Sequence, residues 1–327
     1  MTNKIPWVVA LAIPLCITLH AQNNDSSPHT VQFITVEKDV KLEVLDWGGS
    51  GRPVVLLTGL GNNAHIYDDF APKLTTTYHV YGITRRGYGA SSAPTSGYSA
   101  DRLGDDVLAV VDALKLNRPV LVGHSIAGEE LSSVGSRHPE KVAGLIYLDA
   151  GYAYAFYDQA RGDLRIDLFD LEKKLQLMQP GKGPNDTSPV INDLLTTALP
   201  QIERDLKEER EFLSTLPADM ITGSSASMPT ASQAIFAGQQ KYTSIPVPIL
   251  AIFAVPHDMG PSLDNNPTLR ATFDAHDETS SGAQATAFEK GVPTAHVVRL
   301  PHANHYVFRS NEPDVLREMN AFIGSLP

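Results

Sequence analysis

From Val31 onward, short apolar runs alternate with segments whose apolar residues recur at helical spacing. Residues 53–59, PVVLLTG, form a continuous apolar run bounded by turn residues, which is typical of a strand buried on both faces. A similar run follows at 119–125, and a helical pattern occupies 99–116. With a starting hairpin over 31–48, this alternation predicts an α/β fold of about eight mostly parallel strands with helices on both faces.

The alternation breaks after the first half of the chain. Residues 152–246 contain no run like a buried strand, and polar helical sequence such as residues 188–213 takes its place. We therefore predict a helical lid insertion at 152–246, between a first part of the core at 31–151 and a second part at 247–327. Any site at the carboxyl ends of the strands is expected to lie under this lid.

The N-terminal residues differ from the rest of the chain. Lys4 precedes an uncharged apolar run, Ile5 to Leu19, which is short for a membrane span and is followed by polar sequence after Ala21. This order predicts a signal peptide at 1–21 and a polar lead-in at 22–30. The expected location is periplasmic or extracellular, with no membrane span after cleavage.

Two alternatives to cleavage stay open. One is an uncleaved N-terminal anchor, and the other is lipid attachment at Cys16, although Leu15 is larger than the residue a lipoprotein signal prefers. Cys16 is the only cysteine of the chain. Cleavage near Ala21 would leave none, which excludes disulfides, thiol catalysis and cysteine-bound metals from the mature protein.

The amino-acid composition and net charge limit which kinds of binding partner are expected. The chain has 327 residues, of which 42% are hydrophobic and 19% charged, as in an ordinary globular protein. Its formal net charge is -11 and no run of Lys and Arg stands out, so a nucleic-acid partner is not expected. Nothing in the pattern indicates an oligomeric state.

The stretch from Leu121 to Glu130 reads LVGHSIAGEE and places a serine where a strand gives way to a helix. A nucleophile elbow is usually G-x-S-x-G, and here the fifth position is Ala127. Because the turn needs only a small side chain there, we expect Ser125 to be an exposed nucleophile. The alternative is a buried serine that caps the helix.

Several motifs in fixed order resemble the α/β-hydrolase superfamily. They are LLTGLGNNAHIY, RRGYGASS, VGHSIAG, YLDA, PILAIFAVPHD and LPHANHYVF, and together they cover nearly all of the chain after Val31. The resemblance implies a lid-containing fold of the serine esterase type, as in secreted bacterial members. It indicates the substrate far less specifically.

The resemblance also implies an oxyanion loop after the third strand. Many relatives begin this loop with His-Gly, whereas this chain has Thr58 and Gly59. The chemistry requires backbone N–H donors, which Leu60 and Ile126 would supply. Three further residues of this loop could line the entrance to the site: Asn62, Asn63 and His65. The simpler interpretation is that they are ordinary surface-loop residues.

A serine needs a base, and the chain has 11 histidines. His305, just after the last strand-like run, matches the base of the family, and His302 is its main competitor. We expect His124, beside the serine, to be a packing residue of the elbow.

The triad also needs a carboxylate to orient the base. Asp258 follows the strand after the insertion and gives the family's chain order of serine, acid and histidine, so it is the predicted acid. Asp149 is the alternative acid, because some relatives place the carboxylate after the earlier strand. Asp277 and Glu278 are expected to lie in a polar loop and to be merely solvated.

Two other polar pairs have simple interpretations. Arg85 and Arg86 could meet a substrate carboxylate, but an arginine in this setting more often ties a loop to a nearby acid. His257 and Asp258 could bind a metal, yet no further ligand cluster is visible in the sequence. We therefore predict no metal and no cofactor.

The predicted activity is hydrolysis of a small or medium-sized carboxylic ester through an acyl-enzyme. A lactonase, an amidase, a C–C bond hydrolase and a cofactor-free haloperoxidase or perhydrolase would use the same triad and stay open. A serine nucleophile argues against the haloalkane dehalogenases and epoxide hydrolases, which use aspartate. The alternative from another class is a binding protein that kept the fold without catalysis.

Overall fold

The computed structural model describes residues 27–216, 228–261 and 266–327. The predicted signal peptide, the uncleaved anchor and Cys16 therefore fall outside the described residues. Within the described ranges, every helix is too short or too polar to cross a membrane.

The strands in the described residues form one eight-stranded sheet with the order β1-β2-β4-β3-β5-β6-β7-β8. The first two are antiparallel to their neighbours, and all pairs from β4 to β8 are parallel. The predicted mostly parallel sheet is confirmed. The strands are β1 Thr30–Glu37, β2 Val40–Gly48, β3 Pro53–Leu57, β4 His79–Ile83, β5 Val120–His124, β6 Gly144–Leu148, β7 Ile249–Ala254 and β8 Ala295–Leu300.

Helices connect most of these strands. Two π-helical turns, Leu194–Ala198 and Glu278–Gly282, join consecutive helices, and short 3₁₀ turns occur at Ala64–Tyr67 and Pro139–Lys141. The α-helices of the described residues are α1 Ala71–Leu74, α2 Ala100–Ala113, α3 Ala127–Arg137, α4 Leu164–Leu177, α5 Ser188–Asp193, α6 Leu199–Thr215, α7 Thr230–Ala237, α8 Pro267–Asp277, α9 Ala283–Gly291, α10 Val307–Ser310 and α11 Glu312–Ser325.

Burial along the strands follows their position in the sheet. Every residue of the central strands β5, β6 and β7 is buried, as their continuous apolar sequence requires. The edge strand β1 is half exposed instead, with Phe33 51% accessible. Helices α2, α3 and α9 contribute to the core on one face of the sheet, and α1, α10 and α11 contribute on the other.

The chain divides into two compact units. The sheet belongs to the unit comprising Ile17–Asp158 and Thr230–Pro327, described from residue 27 onward except for 262–265. Gln159–Pro229, described except for residues 217–227, belongs to the other, which contains α4, α5 and α6. The bounds 152–246 and the function of this insertion as a lid stay predictions.

The register of the central strands determines which segments meet. His124 at the end of β5 pairs with Leu148 at the end of β6, and Leu148 pairs with Ile252 near the end of β7. Because parallel strands end at the same edge, the residues that follow them converge. Ser125, Asp149 and the segment after β7 are thereby brought to one edge of the sheet.

Candidate active site

Ser125 occupies a sharp turn between β5 and α3. Its φ is +54°, a conformation that non-glycine residues rarely adopt and that is characteristic of a serine at a strand-to-helix elbow. Its N–H donates to the carbonyl of Leu148 at 3.3 Å, and its carbonyl accepts the N–H of Gly128 at 2.9 Å. The surrounding backbone therefore holds this strained conformation.

The small residues around the elbow have separate steric roles. A Cβ at Gly123 would lie 2.9 Å from Leu131 Cδ1 and 3.1 Å from the Cβ of Ala127, so the strand approaches the helix closely at this point. A Cβ at Gly128 would collide with the carbonyl oxygen of Ala150. The position that strictly requires glycine is thus 128, and the methyl group of Ala127 is accommodated.

His305 lies at the same edge and is held by a carboxylate. Its Nδ1 lies 2.6 Å from Oδ2 of Asp149, a buried residue that follows β6. Its ring packs on that of His124, the residue before Ser125, with centroids 4.7 Å apart. The structure therefore gathers Ser125, His305 and Asp149 from three different loops.

Asp258 does not contact His305. Its exposed side chain accepts the N–H of Gly260 at 2.9 Å, and its own N–H donates to the carbonyl of Ala303 at 2.9 Å. The expected contact between Asp258 and the imidazole is replaced by that of Asp149, the alternative acid. The reason is local, because it is the buried neighbour His257 whose side chain faces Asp149 from this segment.

His257 links Asp149 to a second buried carboxylate. Its Nε2 lies 2.8 Å from Asp149 Oδ2, and its Nδ1 lies 2.8 Å from Oδ2 of Asp277, the last residue of α8. The expectation that Asp277 is merely solvated is wrong, since it is 7% exposed and also accepts the hydroxyl of Ser281 at 2.6 Å. Sequence reasoning missed this pair because α8 was not recognised as a helix.

Charges within the cluster shift the pKa values of its members. Burial alone would raise the pKa of Asp149, but the charge of His257 and hydrogen bonds from His257 and His305 outweigh it and hold that pKa below its usual range. Burial opposes protonation of His257, yet Asp149 and Asp277 raise its pKa to about 10. The hydrogen bond with His257 likewise outweighs burial at Asp277 and lowers its pKa. All three shifts favour the charged form of the group concerned.

A metal site could be considered for three residues of the cluster, Asp149, His257 and His305, because their side chains lie close together. One ligand atom from each lies within 4.8 Å of the others, a separation that an ion could bridge. Both ring nitrogens of His257, however, already face carboxylate oxygens, and Asp149 Oδ2 is shared between the two imidazoles. The donor set fits a hydrogen-bonded cluster better than a metal centre.

The other histidines near the site differ from His305 in their surroundings. His124 is buried, its Nε2 lies 3.0 Å from the carbonyl of His305, and burial followed by the nearby His305 lowers its pKa to about 3. The sequence predicted a packing residue at this position. His302 is exposed and adopts a φ of +56°, and its N–H donates to the carbonyl of Pro256 at 2.7 Å.

The predicted oxyanion residues lie in one apolar cluster. Leu60 and Ile126 share it with Tyr98, Leu103 and Ile235. Neither the Leu60 N–H nor the Ile126 N–H donates to any acceptor within the described part of the chain. Backbone donors without partners are rare in proteins, which makes these two amides available to a ligand.

The neighbouring loop residues make ordinary contacts. Asn62 Nδ2 donates to the hydroxyl of Tyr306, next to His305, at 3.3 Å. His65 Nδ1 lies 3.0 Å from Asp68 Oδ2. The structure thus connects Asn62 to the segment of the predicted base, and it pairs His65 with a carboxylate of its own loop.

Arg85 and Arg86 are structural, as the sequence favoured. Arg85 forms a buried two-pronged ion pair with Glu130 on α3, and its Nη2 also donates to the carbonyl of Thr58 at 2.7 Å. Arg86 pairs with the buried Asp106 at 2.6 Å. Arg85 thereby fastens the loop that begins at Thr58 to the helix that follows Ser125.

Glu129 is the exception among the buried acids near the elbow. It is fully buried on α3, four residues after Ser125, and neither carboxyl oxygen has a hydrogen-bond partner among the described residues. Burial, reinforced by the charge of Glu130, raises its pKa well above the usual value. The sequence offered no signal for this, since an acidic residue in the first turn of a helix is ordinarily solvated.

The chain is similar to known proteins in sequence and in fold. The alpha/beta hydrolase fold family matches residues 52–310, so the chain belongs to this family of hydrolases. The AB hydrolase superfamily protein YisY of Bacillus subtilis is 33% identical over 161 residues, which are 46% of this chain and 59% of that protein. The chain spans about half the length of the curated relatives it matches.

Solved structures share the fold over nearly the whole chain. An N-acyl homoserine lactone degrading enzyme is 22% identical with a TM-score of 0.56, covering 89% of this chain and 100% of that one. The bromoperoxidase of Bacillus anthracis is 17% identical with a TM-score of 0.57, covering 90% of this chain and 100% of that one. At these identities the likeness defines the fold and leaves the reaction to the site.

Proposed function

We propose that the protein is a serine hydrolase of carboxylic esters, with Ser125 as nucleophile, His305 as base and Asp149 as the acid that orients the base. The observation that carries the proposal is the 2.6 Å contact of His305 Nδ1 with Asp149 Oδ2, beside an elbow that holds Ser125 at a φ of +54°. A carboxylate on Nδ1 leaves Nε2 of the same ring to accept the serine proton.

The mechanism follows from these groups. His305 takes the proton of Ser125 as its oxygen attacks the acyl carbonyl, and the amides of Leu60 and Ile126 stabilise the oxyanion. His305 then protonates the leaving alcohol, and in the second half-reaction it activates the water that releases the acyl group. Among the described residues the Ser125 hydroxyl forms no hydrogen bond, and its contact with His305 is assigned to the substrate complex.

An apolar acyl group suits the surroundings of the oxyanion amides. Leu60 and Ile126 pack in an apolar cluster to which Tyr88, Tyr154 and Phe236 also contribute. Since a buried polar group without a partner is costly, this environment favours an acyl chain that needs no hydrogen bonds. The proposed substrates are therefore small or medium-sized esters with an apolar acyl part.

A substrate panel tests the proposal. Nitrophenyl esters of increasing acyl length are expected to be cleaved, and Ser125→Ala should lower kcat/KM by at least about 10⁴-fold because the nucleophile is lost. A fluorophosphonate probe should label wild type and leave Ser125→Ala unlabelled, as read by mass spectrometry.

Other members of the panel separate related reactions. Lactones, an amide, and peroxide with a carboxylic acid are assayed beside the esters. Faster turnover of one of these would keep the triad and replace the ester. Failure of the probe to label folded wild type would overturn the proposal altogether.

A further inference from the structure

The carboxylate of Asp149 is more heavily hydrogen-bonded than orientation of one imidazole requires. Its Oδ2 contacts His305 Nδ1 at 2.6 Å, His257 Nε2 at 2.8 Å and the hydroxyl of Tyr152 at 2.9 Å. Its Oδ1 accepts the N–H of Ala254 at 3.0 Å. Only an ionised carboxylate accepts from so many donors, so Asp149 carries a negative charge.

Asp277 is ionised for the same kind of reason. Its Oδ2 accepts the backbone N–H of His257 at 2.7 Å and lies 2.8 Å from the Nδ1 of that ring. Its Oδ1 accepts the hydroxyl of Ser281 at 2.6 Å. The ring of His257 therefore stands between two carboxylates, and a neutral ring would point a lone pair at one of them.

We propose that His257 is an imidazolium that positions Asp149 against His305 and lowers the negative charge felt by the base, with Asp277 as its counter-charge. This inference rests on the proposed triad. His257 is a positioning residue, because it contacts Asp149 and not the reacting atoms. The chain of contacts runs from Asp277 through His257 and Asp149 to His305.

The charge of His257 should affect the base directly. The ring centroids of His257 and His305 are 6.2 Å apart, and both rings contact the same oxygen of Asp149. A positive charge at this distance disfavours the formation of a second imidazolium in the cluster. The groups that face the two rings are Asp149, Asp277, His124, Tyr152, Tyr306 and, through Tyr306 and His124, Arg309.

The first experiment changes the charge and keeps the hydrogen bond. In His257→Gln the amide can still donate to Asp149, but the positive charge is gone, so the acid limb of kcat/KM should move to higher pH by about one unit. In His257→Gln with Asp277→Asn, one charge of each sign is removed, and the limb should return to the wild-type position. Circular dichroism verifies that both variants fold.

The direction of the pH shift in His257→Gln, and its reversal by Asp277→Asn, distinguish this proposal from a purely structural role of His257. Packing loss alone would lower kcat/KM at every pH and leave the limb in place. An unmoved limb in His257→Gln, or a shift that Asp277→Asn leaves uncorrected, overturns the inference.

A second measurement is made on wild type and uses a variant only to assign the signal. In wild type with ¹⁵N-labelled histidine at about pH 8, well above the ordinary imidazole value, one ring should show two protonated nitrogens. That signal belongs to His257 if it disappears in His257→Gln. An unprotonated nitrogen on the His257 ring at this pH overturns the proposal.

The two proposals fail in different ways. If fluorophosphonate does not label wild type, the triad is wrong, while the nitrogen spectrum still reports the state of His257. Activity is expected to be unchanged in EDTA. Loss of activity in EDTA that Zn²⁺ restores would assign Asp149, His257 and His305 to a metal and overturn the imidazolium.

Discussion

Asp149 and Glu129 are both buried carboxyl groups near the elbow of Ser125, but they differ in their hydrogen-bond partners and in the direction of their pKa shifts. Asp149, after β6, is surrounded by donors from His305, His257, Tyr152 and the backbone. Glu129, on the helix after the elbow, has no hydrogen-bond partner at either oxygen in the part of the chain that the structure describes. Both are 0% exposed.

Burial does not by itself determine the charge of a carboxyl group. Burial raises the pKa of both residues, but at Asp149 the donors and the charge of His257 reverse the outcome. Glu130, next to Glu129, is buried as well and has the guanidinium of Arg85 as its partner. Partners decide which buried acid is an anion suited to orient a base.

The largest expected effect comes from removing the charge of Asp149. Asp149→Asn should lower kcat by about 1,000- to 10,000-fold, because the amide no longer stabilises the imidazolium that forms on His305. Steady-state kinetics on the best ester measures it. Asp258→Asn is the matched control and should retain wild-type rates. Loss of rate in Asp258→Asn with normal Asp149→Asn would reverse the assignment of the acid.

Breaking the ion pair of Glu130 should have the next largest effect. Arg85→Met strands a buried carboxylate and frees the carbonyl of Thr58, so the free energy of unfolding should fall by about 3–5 kcal/mol. Urea denaturation followed by circular dichroism gives this value. Arg299→Met, which removes an exposed pair with Glu289, should change it by less than about 1 kcal/mol. Equal effects in the two variants would contradict the buried ion pair.

Replacing the partnerless carboxyl should stabilise the protein. Glu129→Leu removes two unsatisfied buried oxygens, so the free energy of unfolding should rise by about 1–3 kcal/mol. Glu130→Leu, one residue further along the same helix, should lower it because Arg85 loses its partner. If Glu129→Leu destabilises the fold, the carboxyl of Glu129 has a partner that stabilises it.

The difference in stability between Glu129→Leu and wild type should depend on pH, and its direction follows from the raised pKa of Glu129. The folded pKa of Glu129 lies above its unfolded value of 4.5, so its contribution to stability is fully present below pH 4.5 and is lost as pH rises through the folded value. The advantage of Glu129→Leu over wild type should therefore grow above pH 4.5, by up to about 1.4 kcal/mol per pH unit. Urea midpoints at several pH values measure it, and a constant difference would mean that Glu129 titrates normally.

Features that depend on short segments could be predicted from the sequence alone. Apolar runs identified the central strands, because a strand buried on both faces must be apolar throughout. The same local pattern located Ser125 between a strand and a helix, and His305 after the last strand. The interpretation of Arg85 and Arg86 as ties to nearby acids is also confirmed.

The contact of Asp149 with His305 is visible only in the folded chain. Asp149 and His305 are 156 residues apart, and their contact depends on how the ends of β6 and β8 are positioned by the sheet. His257 and Asp258 are adjacent in sequence, yet the side chain of His257 points at Asp149 and that of Asp258 is exposed. Pattern and spacing do not contain that information, because the choice is made by long-range packing and by the direction of each side chain. The same reason explains why the burial of Asp277 and the isolation of Glu129 were visible only in the folded chain.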